Sequence, residues 1–350
     1  MKIAFITATL TSGGSERVIS LLANELANRG HDVSIILLRE PTIFYTLNDS
    51  IKLYFAQEHS NNIVGKIVWL RKFVKQNNID VVIPFMTAVY CTTILALLGL
   101  PTPVIASERI DPRFSSTIRK ILRWCLLPFA KHLVVQTQSI KSYYSDKIQS
   151  RTTIIPNPVS DSMFENPNTD ITKEKIIISV GRLYEQKNQK MMIDAFANIA
   201  HLHQQFKLII YGEGPLRSSL SEYIEEKGLS SRILLPGRSN NIVNELNKAE
   251  VFCLSSDYEG QSNALLEAIC VGLPITTTNV SGVEDTIING VNGIVVNIGD
   301  TESFARALDT LLSNQQLRST FAQYNKSLGE NFRIDKIVDK WEMLIKQIAE

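Results

Sequence analysis

The sequence predicts an α/β protein with two successive doubly wound domains, each built on a parallel sheet. Three observations predict it. Short apolar segments alternate with helical segments, this alternation breaks once near residue 155 and then resumes, and 350 residues suffice for two domains that each bury a core. Hydrophobic residues make up 44% of the chain and charged residues 20%, which is typical of a globular enzyme and excludes a disordered or fibrous chain.

The first half of the chain begins with a βαβ pattern. Residues 2–8 form an apolar run, residues 15–28 have amphipathic helical spacing, and residues 33–38 form a second apolar run. The apolar region at residues 86–100 is interrupted by threonines and a glycine, so it predicts a buried helix rather than a membrane span. Further strands are predicted at residues 81–84, 104–107 and 133–137.

A polar segment separates the two halves. Ile155-Pro-Asn-Pro-Val159 interrupts the alternation, and the residues that follow, up to 175, are rich in Asn, Asp, Ser and Thr, as linkers are. We expect domains at residues 1–165 and 170–330, and a C-terminal helix at residues 331–350 that packs back on the first domain. Strands of the second domain are predicted at residues 175–180, 206–211, 233–235, 251–255, 275–277 and 293–296.

The net charge of +1 is unevenly distributed along the chain. Residues 1–160 hold 18 Lys and Arg against 10 Asp and Glu, a net of +8, and residues 161–350 hold 18 against 25, a net of −7. The asymmetry favours an anionic partner for the first half, either a phosphate-bearing substrate or a membrane surface, and chance variation is the alternative. The four cysteines form no C-x-x-C pair, and the start does not resemble a signal peptide, so we expect a cytoplasmic protein.

Loops that follow strands hold the candidate ligand-binding residues, because doubly wound sheets bind ligands beyond the carboxyl ends of their strands. After the first strand, Ser12-Gly-Gly-Ser15 opens a helix whose N-terminal amides suit a phosphate, and a plain tight turn is the alternative. After residues 176–180, Arg182 and Lys187 flank one loop. Two cations there suit a diphosphate, and two solvated surface charges are the alternative.

The stretch Tyr258-Glu-Gly-Gln-Ser-Asn-Ala-Leu-Leu-Glu-Ala268 follows a predicted strand and carries two carboxylates. Gly260 suits a helix interior poorly, whereas Ser262 and Asn263 are good N-caps, so a helix should begin near Asn263. Glu259 then precedes the helix, and Glu267 lies about one turn inside it. The amides at the helix start suit an anion, whereas carboxylates suit hydroxyl groups. A nucleotide sugar offers both.

Taken together and in this order, the motifs resemble those of retaining GT-B glycosyltransferases of family four. The resemblance covers nearly the whole chain and rests on the first-domain Gly-Gly loop, on Gly181-Arg-Leu-Tyr-Glu-Gln-Lys-Asn188 and on the E-x7-E pair of Glu259 and Glu267. It implies two Rossmann-like domains facing across a cleft, with the acceptor side on the first and the nucleotide sugar on the second.

The activity that this resemblance implies is the transfer of a hexose or N-acetylhexosamine from a nucleotide sugar. The donor would be UDP-linked, with GDP as the alternative. The acceptor would be a growing, undecaprenyl-diphosphate-linked saccharide in exopolysaccharide, O-antigen or lipid-linked oligosaccharide synthesis. Such enzymes are usually metal-independent, so no metal and no cofactor are expected.

The resemblance also implies residue roles. Glu259 would contact hydroxyls of the donor hexose and is the catalytic candidate, and Glu267 would contact the ribose. Arg238 and Ser239 match a loop near the base. The donor-binding set as a whole comprises Gly14, Arg182, Lys187, Arg238, Ser239, Glu259, Gly260, Gln261, Ser262, Asn263, Ala264 and Glu267.

One loop departs from the family pattern. Many members carry a histidine after the strand equivalent to residues 104–107, where this chain has Glu108 and Arg109. Both are therefore candidates for contact with the acceptor.

Residues 113–131 hold five basic residues and no acidic one. Ile118, Ile121, Leu122 and Cys125 fall at helical spacing, with Arg119 and Arg123 on another face. Such a helix, which includes Trp124, suits an anionic bilayer or the diphosphate of a lipid-linked acceptor, and a solvated surface helix is the alternative. We therefore expect a peripheral protein on the cytoplasmic face of the inner membrane.

Two other functions stay open at this point. A sugar-nucleotide epimerase of the same fold would not need the pair of glutamates. A non-catalytic sugar-nucleotide-binding partner of a membrane transferase would not need Glu259, Glu267, Arg182 and Lys187 all intact. No nucleic-acid partner is expected.

Overall fold

The computed structural model describes residues 1–39, 41–165 and 172–349 and divides the chain into two units. Unit 1 comprises Met1–Pro158 and Ile334–Glu350, and unit 2 comprises Val159–Arg333. The predicted domain start at residue 170 and the predicted helix end at residue 350 lie outside the described residues.

The described part of unit 1 contains seven strands, all parallel. They are β1 (Lys2–Thr7), β2 (Asp32–Leu37), β3 (Lys52–Phe55), β4 (Val81–Pro84), β5 (Ile105–Ser107), β6 (His132–Val135) and β7 (Thr152–Ile154). Four pair in the order β3-β2-β1-β4 and three in the order β5-β6-β7. Single parallel bridges from Val82 to Val104 and from Phe85 to Ser107 join β4 to β5, so the sheet is continuous.

Helices cover both faces of this sheet. On one face α1 buries Val18, Leu22 and Leu26, and on the other α2 buries Leu70 and α3 buries Ile94. The helices are α1 (Gly14–Asn28), α2 (Ile63–Asn77), α3 (Thr87–Leu97), α4 (Thr117–Leu126), α5 (Gln138–Ser142) and α6 (Asp146–Gln149). Because apolar side chains cover the sheet from both sides, its central strands are continuous apolar runs.

Unit 2 is a second parallel sheet, and its strand order reverses in the middle. Its strands are β8 (Ile176–Val180), β9 (Lys207–Tyr211), β10 (Ile233–Gly237), β11 (Val251–Leu254), β12 (Ile275–Thr278) and β13 (Gly293–Val296). Their order is β10-β9-β8-β11-β12-β13, so the chain runs outward from β8 and then returns to its other side with β11. Ligands of such sheets bind at this reversal, beyond the carboxyl ends of the strands.

Two apolar layers enclose the sheet of unit 2. Phe196, Leu220 and Leu308 belong to one layer, and Leu246 and Leu266 belong to the other. The helices that supply them, with their neighbours, are α7 (Gln189–Ile199), α8 (Arg217–Glu226), α9 (Ile242–Lys248), α10 (Asn263–Cys270), α11 (Thr301–Ser313) and α12 (Gln315–Gly329).

The last helix, α13 (Ile334–Ala349), belongs to unit 1 although it follows unit 2 in the chain. It packs on α1, and its Trp341 is fully buried in the same apolar cluster as Phe5 of β1. Arg29, at the end of α1, donates hydrogen bonds to Asp339 (2.6 Å) and Glu342 (2.9 Å) of α13. Unit 1 is thus assembled from two separate segments of the chain.

The doubly wound α/β architecture and its parallel sheets are confirmed, and two strands were missed. β3 is a partly exposed strand at the sheet edge, and β7 spans three residues, two of them threonine. Neither offers the apolar run by which buried strands are recognised. Along the described parts of the chain, no helix combines the length and the apolar content that crossing a membrane requires.

Candidate active site

The loops after β8 and β11 lie side by side in unit 2, at the reversal of strand order. β8 and β11 are adjacent parallel strands, with Ile177 opposite Val251 and Ile178 opposite Phe252. Their carboxyl ends therefore open at the same edge of the sheet. Arg182 and Lys187 follow β8, and Glu259 follows β11.

Lys187 and Glu259 contact each other across these two loops. Lys187 Nζ donates to Glu259 Oε1, and Ser256 Oγ donates to the same oxygen at 2.8 Å. The side chains of Lys187 and Glu259 are 15% and 9% exposed, so the pair is largely shielded from water yet not sealed off. A cation and a carboxylate are thus held together where a doubly wound sheet binds its ligand.

The helix after Glu259 begins as expected. α10 starts at Asn263, and its N-cap Ser262 accepts a hydrogen bond from the Leu265 amide at 3.4 Å. Gly260 and Gln261, just ahead of it, are buried. Glu267 is buried within α10, in its second turn.

Arg182 is exposed, and its guanidinium lies 4.9 Å from the ring centre of Tyr184. The loop that carries it is packed tightly against the loop after β9. A Cβ on Gly212 would lie 1.8 Å from the Gly181 carbonyl oxygen, and Gly212 has a φ of 143°, so only glycine fits there. This contact fixes the start of the loop after β8 that carries Arg182 and Lys187, called the cationic loop below.

The other predicted donor residues lie away from the Lys187–Glu259 pair or in the other unit. Arg238 and Ser239 follow β10, which β9 separates from β8. Gly14 is the exposed first residue of α1 in unit 1. The Glu16 carboxylate lies at the same helix start, where it accepts hydrogen bonds from Thr9 Oγ1 (3.1 Å) and Ser15 Oγ (2.6 Å).

Glu108 and Arg123, both proposed from the sequence as acceptor or membrane contacts, are buried in unit 1 and paired with each other. Arg123 Nε donates to Glu108 Oε2 at 3.0 Å. The hydroxyls of Thr87, Tyr90 and Tyr144 also donate to this carboxylate, at 2.9, 2.9 and 3.2 Å. Burial and the nearby Glu108 charge raise the pKa of Tyr90 and Tyr144 well above 10. This corrects the assignment of Arg123 to an outward basic face.

Arg109 is also buried, and its side chain occupies an aromatic environment. Its guanidinium lies 4.3 Å from the ring centre of Phe85 and donates from Nη1 to Asn157 Oδ1 at 2.9 Å. Burial lowers the pKa of Arg109 to about 9. Glu108 and Arg109, both expected as acceptor contacts, are thus buried in unit 1, and their contact with the acceptor stays a prediction.

Helix α4 turns its apolar face outward, because Arg123 anchors the opposite face inside. Ile118 is 71% exposed and Trp124 80%, and Ile121, Leu122 and Cys125 are exposed as well. Arg119 stays exposed among them, as predicted. The usual rule for a helix on a globular domain, apolar side inward, is reversed here.

The sequence reasoning missed Ser256 and Asn188. Ser256 gave the weaker signal, a serine three residues before the candidate Glu259. Asn188 has a left-handed backbone (φ 43°) and its side chain caps α7. Asparagine is favoured both in a left-handed backbone conformation and at the N-cap of a helix. The role of Asn188 could therefore have been found from the sequence. Within the described residues, no group of three or more His, Cys, Asp or Glu could hold a metal ion.

A doubly wound sheet with charged side chains at its reversal is typical of nucleotide-binding α/β proteins. Two family models match the chain: "Glycosyltransferase Family 4" over residues 12–162 and "Glycosyl transferases group 1" over residues 162–328. The chain is 31% identical to the GalNAc-alpha-(1->4)-GalNAc-alpha-(1->3)-diNAcBac-PP-undecaprenol alpha-1,4-N-acetyl-D-galactosaminyltransferase of Campylobacter jejuni, over 99% of each chain.

Other similar proteins extend the comparison. The UDP-Gal:alpha-D-GlcNAc-diphosphoundecaprenol alpha-1,3-galactosyltransferase of Escherichia coli is 28% identical, over 97% of this chain and 95% of the relative. Among solved structures, Anabaena HepE in complex with UDP has a TM-score of 0.83 at 16% identity, over 99% of this chain and 100% of HepE. Sucrose-phosphate synthase from Thermosynechococcus elongatus has a TM-score of 0.85 at 16% identity, over 99% and 98%. At such identities these two likenesses show the fold.

The chain therefore belongs to glycosyltransferase family four and is a glycosyltransferase with the GT-B fold.

Proposed function

We propose that the chain is a retaining, metal-independent transferase that moves a hexose or N-acetylhexosamine from a UDP-linked donor onto an undecaprenyl-diphosphate-linked saccharide. The contact between Lys187 and Glu259 at the reversal of the unit 2 sheet carries this proposal. The names of the Campylobacter jejuni and Escherichia coli relatives, both transferases acting on undecaprenyl-linked saccharides, support the acceptor class. HepE, whose structure contains UDP, supports the nucleotide.

Each member of the donor set has a role in this proposal. Lys187 and Arg182 hold the diphosphate together with the amides ahead of α10, while Glu259 orients the sugar through its hydroxyls and Glu267 binds the ribose. Arg238 and Ser239 lie near the base, and the amides at the start of α1, at Gly14, suit a phosphate group. Lys187 forms an ion pair with Glu259. Binding of the donor would give Lys187 a second, more highly charged partner.

The chemistry follows from where charge develops. The bond between the sugar C1 and the diphosphate oxygen breaks, which builds negative charge on the leaving nucleotide diphosphate and positive character on the sugar. Fixed cations and helix-terminal amides stabilise the negative charge on the leaving diphosphate. In other transferases metal ions provide this stabilisation. The acceptor hydroxyl oxygen bonds to C1 on the face that the diphosphate leaves, and its proton passes to an oxygen of the leaving phosphate. The configuration at C1 is retained.

Donor binding and transfer can be tested separately. A panel of UDP- and GDP-sugars should contain one that raises the melting temperature of the wild-type protein, because a ligand that binds only the native state stabilises it. The same donor should support transfer to a polyprenyl-diphosphate-linked saccharide without added metal and in the presence of a chelator. Glu259→Gln should fold normally and lose transfer. Transfer near the wild-type rate by this variant, or a need for metal, would contradict the proposal.

We further propose that unit 1 docks peripherally on an anionic membrane through α4. The exposed apolar side chains Ile118, Ile121 and Trp124 lie beside the exposed cations Arg119 and Lys120. An amphipathic helix of this kind inserts its apolar face among lipid headgroups while its cations meet their charge.

The neighbouring helices fit the same surface. α2 packs on α3 and α3 packs on α4, and the three helices contain no Asp or Glu. α2 adds exposed Val64 and Val68 and the basic residues Arg71, Lys72 and Lys75. A helical layer without acidic residues avoids repulsion from anionic lipid. Such docking would place the enzyme where a lipid-linked acceptor is found.

A further inference from the structure

We propose that residues 255–257, the post-β11 segment, are positioning residues that set Lys187 and Glu259 in the geometry for transfer. This inference rests on the proposed function of those two side chains. The segment comprises Ser255, Ser256 and Asp257, and it lies between the end of β11 at Leu254 and Glu259.

Ser256 fixes one oxygen of the Glu259 carboxylate. Its hydroxyl donates to Oε1 at 2.8 Å, and the same oxygen accepts from Lys187 Nζ. Ser256 is fully buried, and its own carbonyl accepts a hydrogen bond from Thr278 Oγ1 of β12 at 2.6 Å. Oε1 therefore accepts hydrogen bonds from both Ser256 and Lys187. The other oxygen, Oε2, would accept a hydrogen bond from a sugar hydroxyl.

Ser255 and Asp257 fix the main chain around Lys187. Ser255 Oγ lies 2.9 Å from the carbonyl oxygens of both Lys187 and Asn188, to which it donates. Asp257 Oδ1 accepts from Asn188 Nδ2 at 2.8 Å, and the Asp257 amide donates to the carbonyl of Gln186 at 2.9 Å. The backbone on both sides of Lys187 is therefore held by the neighbouring loop, in addition to the hydrogen bonds of its own loop from the Lys187 amide to the Tyr184 carbonyl and from the Asn188 amide to the Glu185 carbonyl.

The strands alone do not bring the two charges together. The paired residues of β8 and β11 end at Ile178 and Phe252, and Lys187 lies nine residues beyond the first of these. Over that distance a free loop samples many conformations, and ordering it costs conformational entropy. The hydrogen bonds of the post-β11 segment contribute to this order, together with the 3-10 turn at Glu185–Lys187. Ordering a site during binding reduces the binding free energy, so a preformed site binds its ligand more tightly.

The two halves of the segment should affect different kinetic constants. Ser256→Ala removes one of the two contacts that hold Glu259 Oε1, so kcat should fall roughly tenfold or more while the KM for the donor changes little, because small displacements of the groups that orient the reacting atoms are costly. Asp257→Ala removes the side-chain acceptor of Asn188 Nδ2, directly after Lys187, so the KM for the donor should rise. Ser256→Thr and Asp257→Asn retain the hydroxyl and the carbonyl acceptor and should each recover most of the lost activity.

Matched controls separate positioning from folding. Ser34→Ala removes a buried serine hydroxyl from the middle of β2 in unit 1 and should leave both constants unchanged. Melting temperatures of all variants, together with transfer by Glu259→Gln, complete the set. The inference is supported if Ser256→Ala lowers kcat, Asp257→Ala raises the donor KM, and both conservative variants recover.

Three results would overturn it. The first is wild-type constants for both alanine variants while Glu259→Gln is inactive, which leaves the proposed function standing. The second is an equal loss in the alanine and conservative variants that follows their melting temperatures, which indicates packing alone. The third is an active Glu259→Gln, which removes the proposed role of Glu259 and the positioning role with it.

Discussion

Arg123 and Glu108 form a buried ion pair whose facing atoms, Nε and Oε2, lie 3.0 Å apart, and their side chains are 3% and 1% exposed. This pair determines which face of α4 meets the surroundings. The guanidinium also donates to Thr87 Oγ1 and Ser115 Oγ, each at 2.9 Å. Arg123 therefore attaches the buried face of α4 to unit 1. Apart from Leu126, which is buried in the core, the large apolar side chains of α4 are therefore exposed.

Removing Arg123 should destabilise unit 1 strongly. Arg123→Met leaves Glu108 buried without a counter-charge, and we expect a loss of about 3–5 kcal/mol in the free energy of unfolding. The double variant Glu108→Gln/Arg123→Met should recover part of it, since no buried charge remains. Arg119→Met, one helical turn away and exposed, is the matched control and should change stability by less than about 0.5 kcal/mol. Denaturant unfolding measures all three, and equal effects of the two single variants would contradict the assignment.

The outward face of α4 should carry vesicle binding. Replacing Trp124 by Ser should weaken sedimentation with anionic vesicles roughly tenfold, by the apolar area that insertion would bury, without lowering the melting temperature. Met343→Ser changes an exposed apolar residue of α13 (72% exposed) and should have no effect. Unchanged binding by the Trp124 variant would exclude α4 as the docking element.

The charge of the same helix should determine lipid preference. Arg119→Glu should reduce binding to anionic vesicles by roughly fivefold or more and leave the weak binding to zwitterionic vesicles unchanged. The control is Arg306→Glu, which reverses an exposed charge on α11 of unit 2. If both variants lose binding equally, the attraction is due to net charge rather than to this surface.

Gly212 should tolerate no side chain. In Gly212→Ala the new Cβ would meet the Gly181 carbonyl oxygen at 1.8 Å, so the cationic loop must shift, and we expect both lower stability and weaker donor binding. Gly228→Ala is the matched control, because Gly228 also has a positive φ (68°) but a Cβ added there would meet no atom within 4 Å. That variant should cost about 1 kcal/mol of backbone strain alone and leave donor binding intact. Equal donor affinity in the two variants would contradict the close packing of the two loops.

His132 should make stability depend on pH. Burial, with the nearby Arg151 and Lys141 charges, lowers its pKa from 6.5 to about 4, and its Nε2 lies 2.9 Å from Thr153 Oγ1. The unfolded chain therefore binds a proton at higher pH than the native one. Above pH 6.5 the titration of His132 costs no stability. As the pH falls from 6.5 toward about 4, the unfolded chain takes up the proton first, so the free energy of unfolding decreases. His132→Gln should flatten the decline of the unfolding midpoint over this interval, whereas His201→Gln, at an exposed position, should leave it unchanged.

The sequence was sufficient for the architecture because the strands of both sheets, except β3 and β7, are apolar runs bounded by turn residues. The start of α10 was equally accessible, since Ser262 and Asn263 are helix-start residues and Gly260 is not. The face that α4 turns outward could not be read in this way. Helical spacing shows that its apolar and basic residues form separate faces, but only the position of Glu108, fifteen residues away, decides which face is buried.

The contact between Lys187 and Glu259 could not be predicted from local sequence patterns either. Both residues were proposed from their loops, yet they are 72 residues apart, and their contact depends on β8 and β11 being neighbours. Strand order is a property of the whole sheet, and no local pattern encodes it. The roles of the donor set remain predictions until ligand binding is measured.

The position of α13 has a consequence for biosynthesis. Because Trp341 completes the apolar cluster around β1 and α1, the first unit cannot close its core while the ribosome is still translating the second. Unit 2 emerges whole and uninterrupted, so it can fold first, whereas residues 1–158 must wait with Phe5 and Leu22 uncovered until the helix at Ile334–Ala349 has left the exit tunnel. During that interval the apolar cluster of unit 1 lacks the side chains of α13, and a chain that stops before Ile334 would lack them permanently.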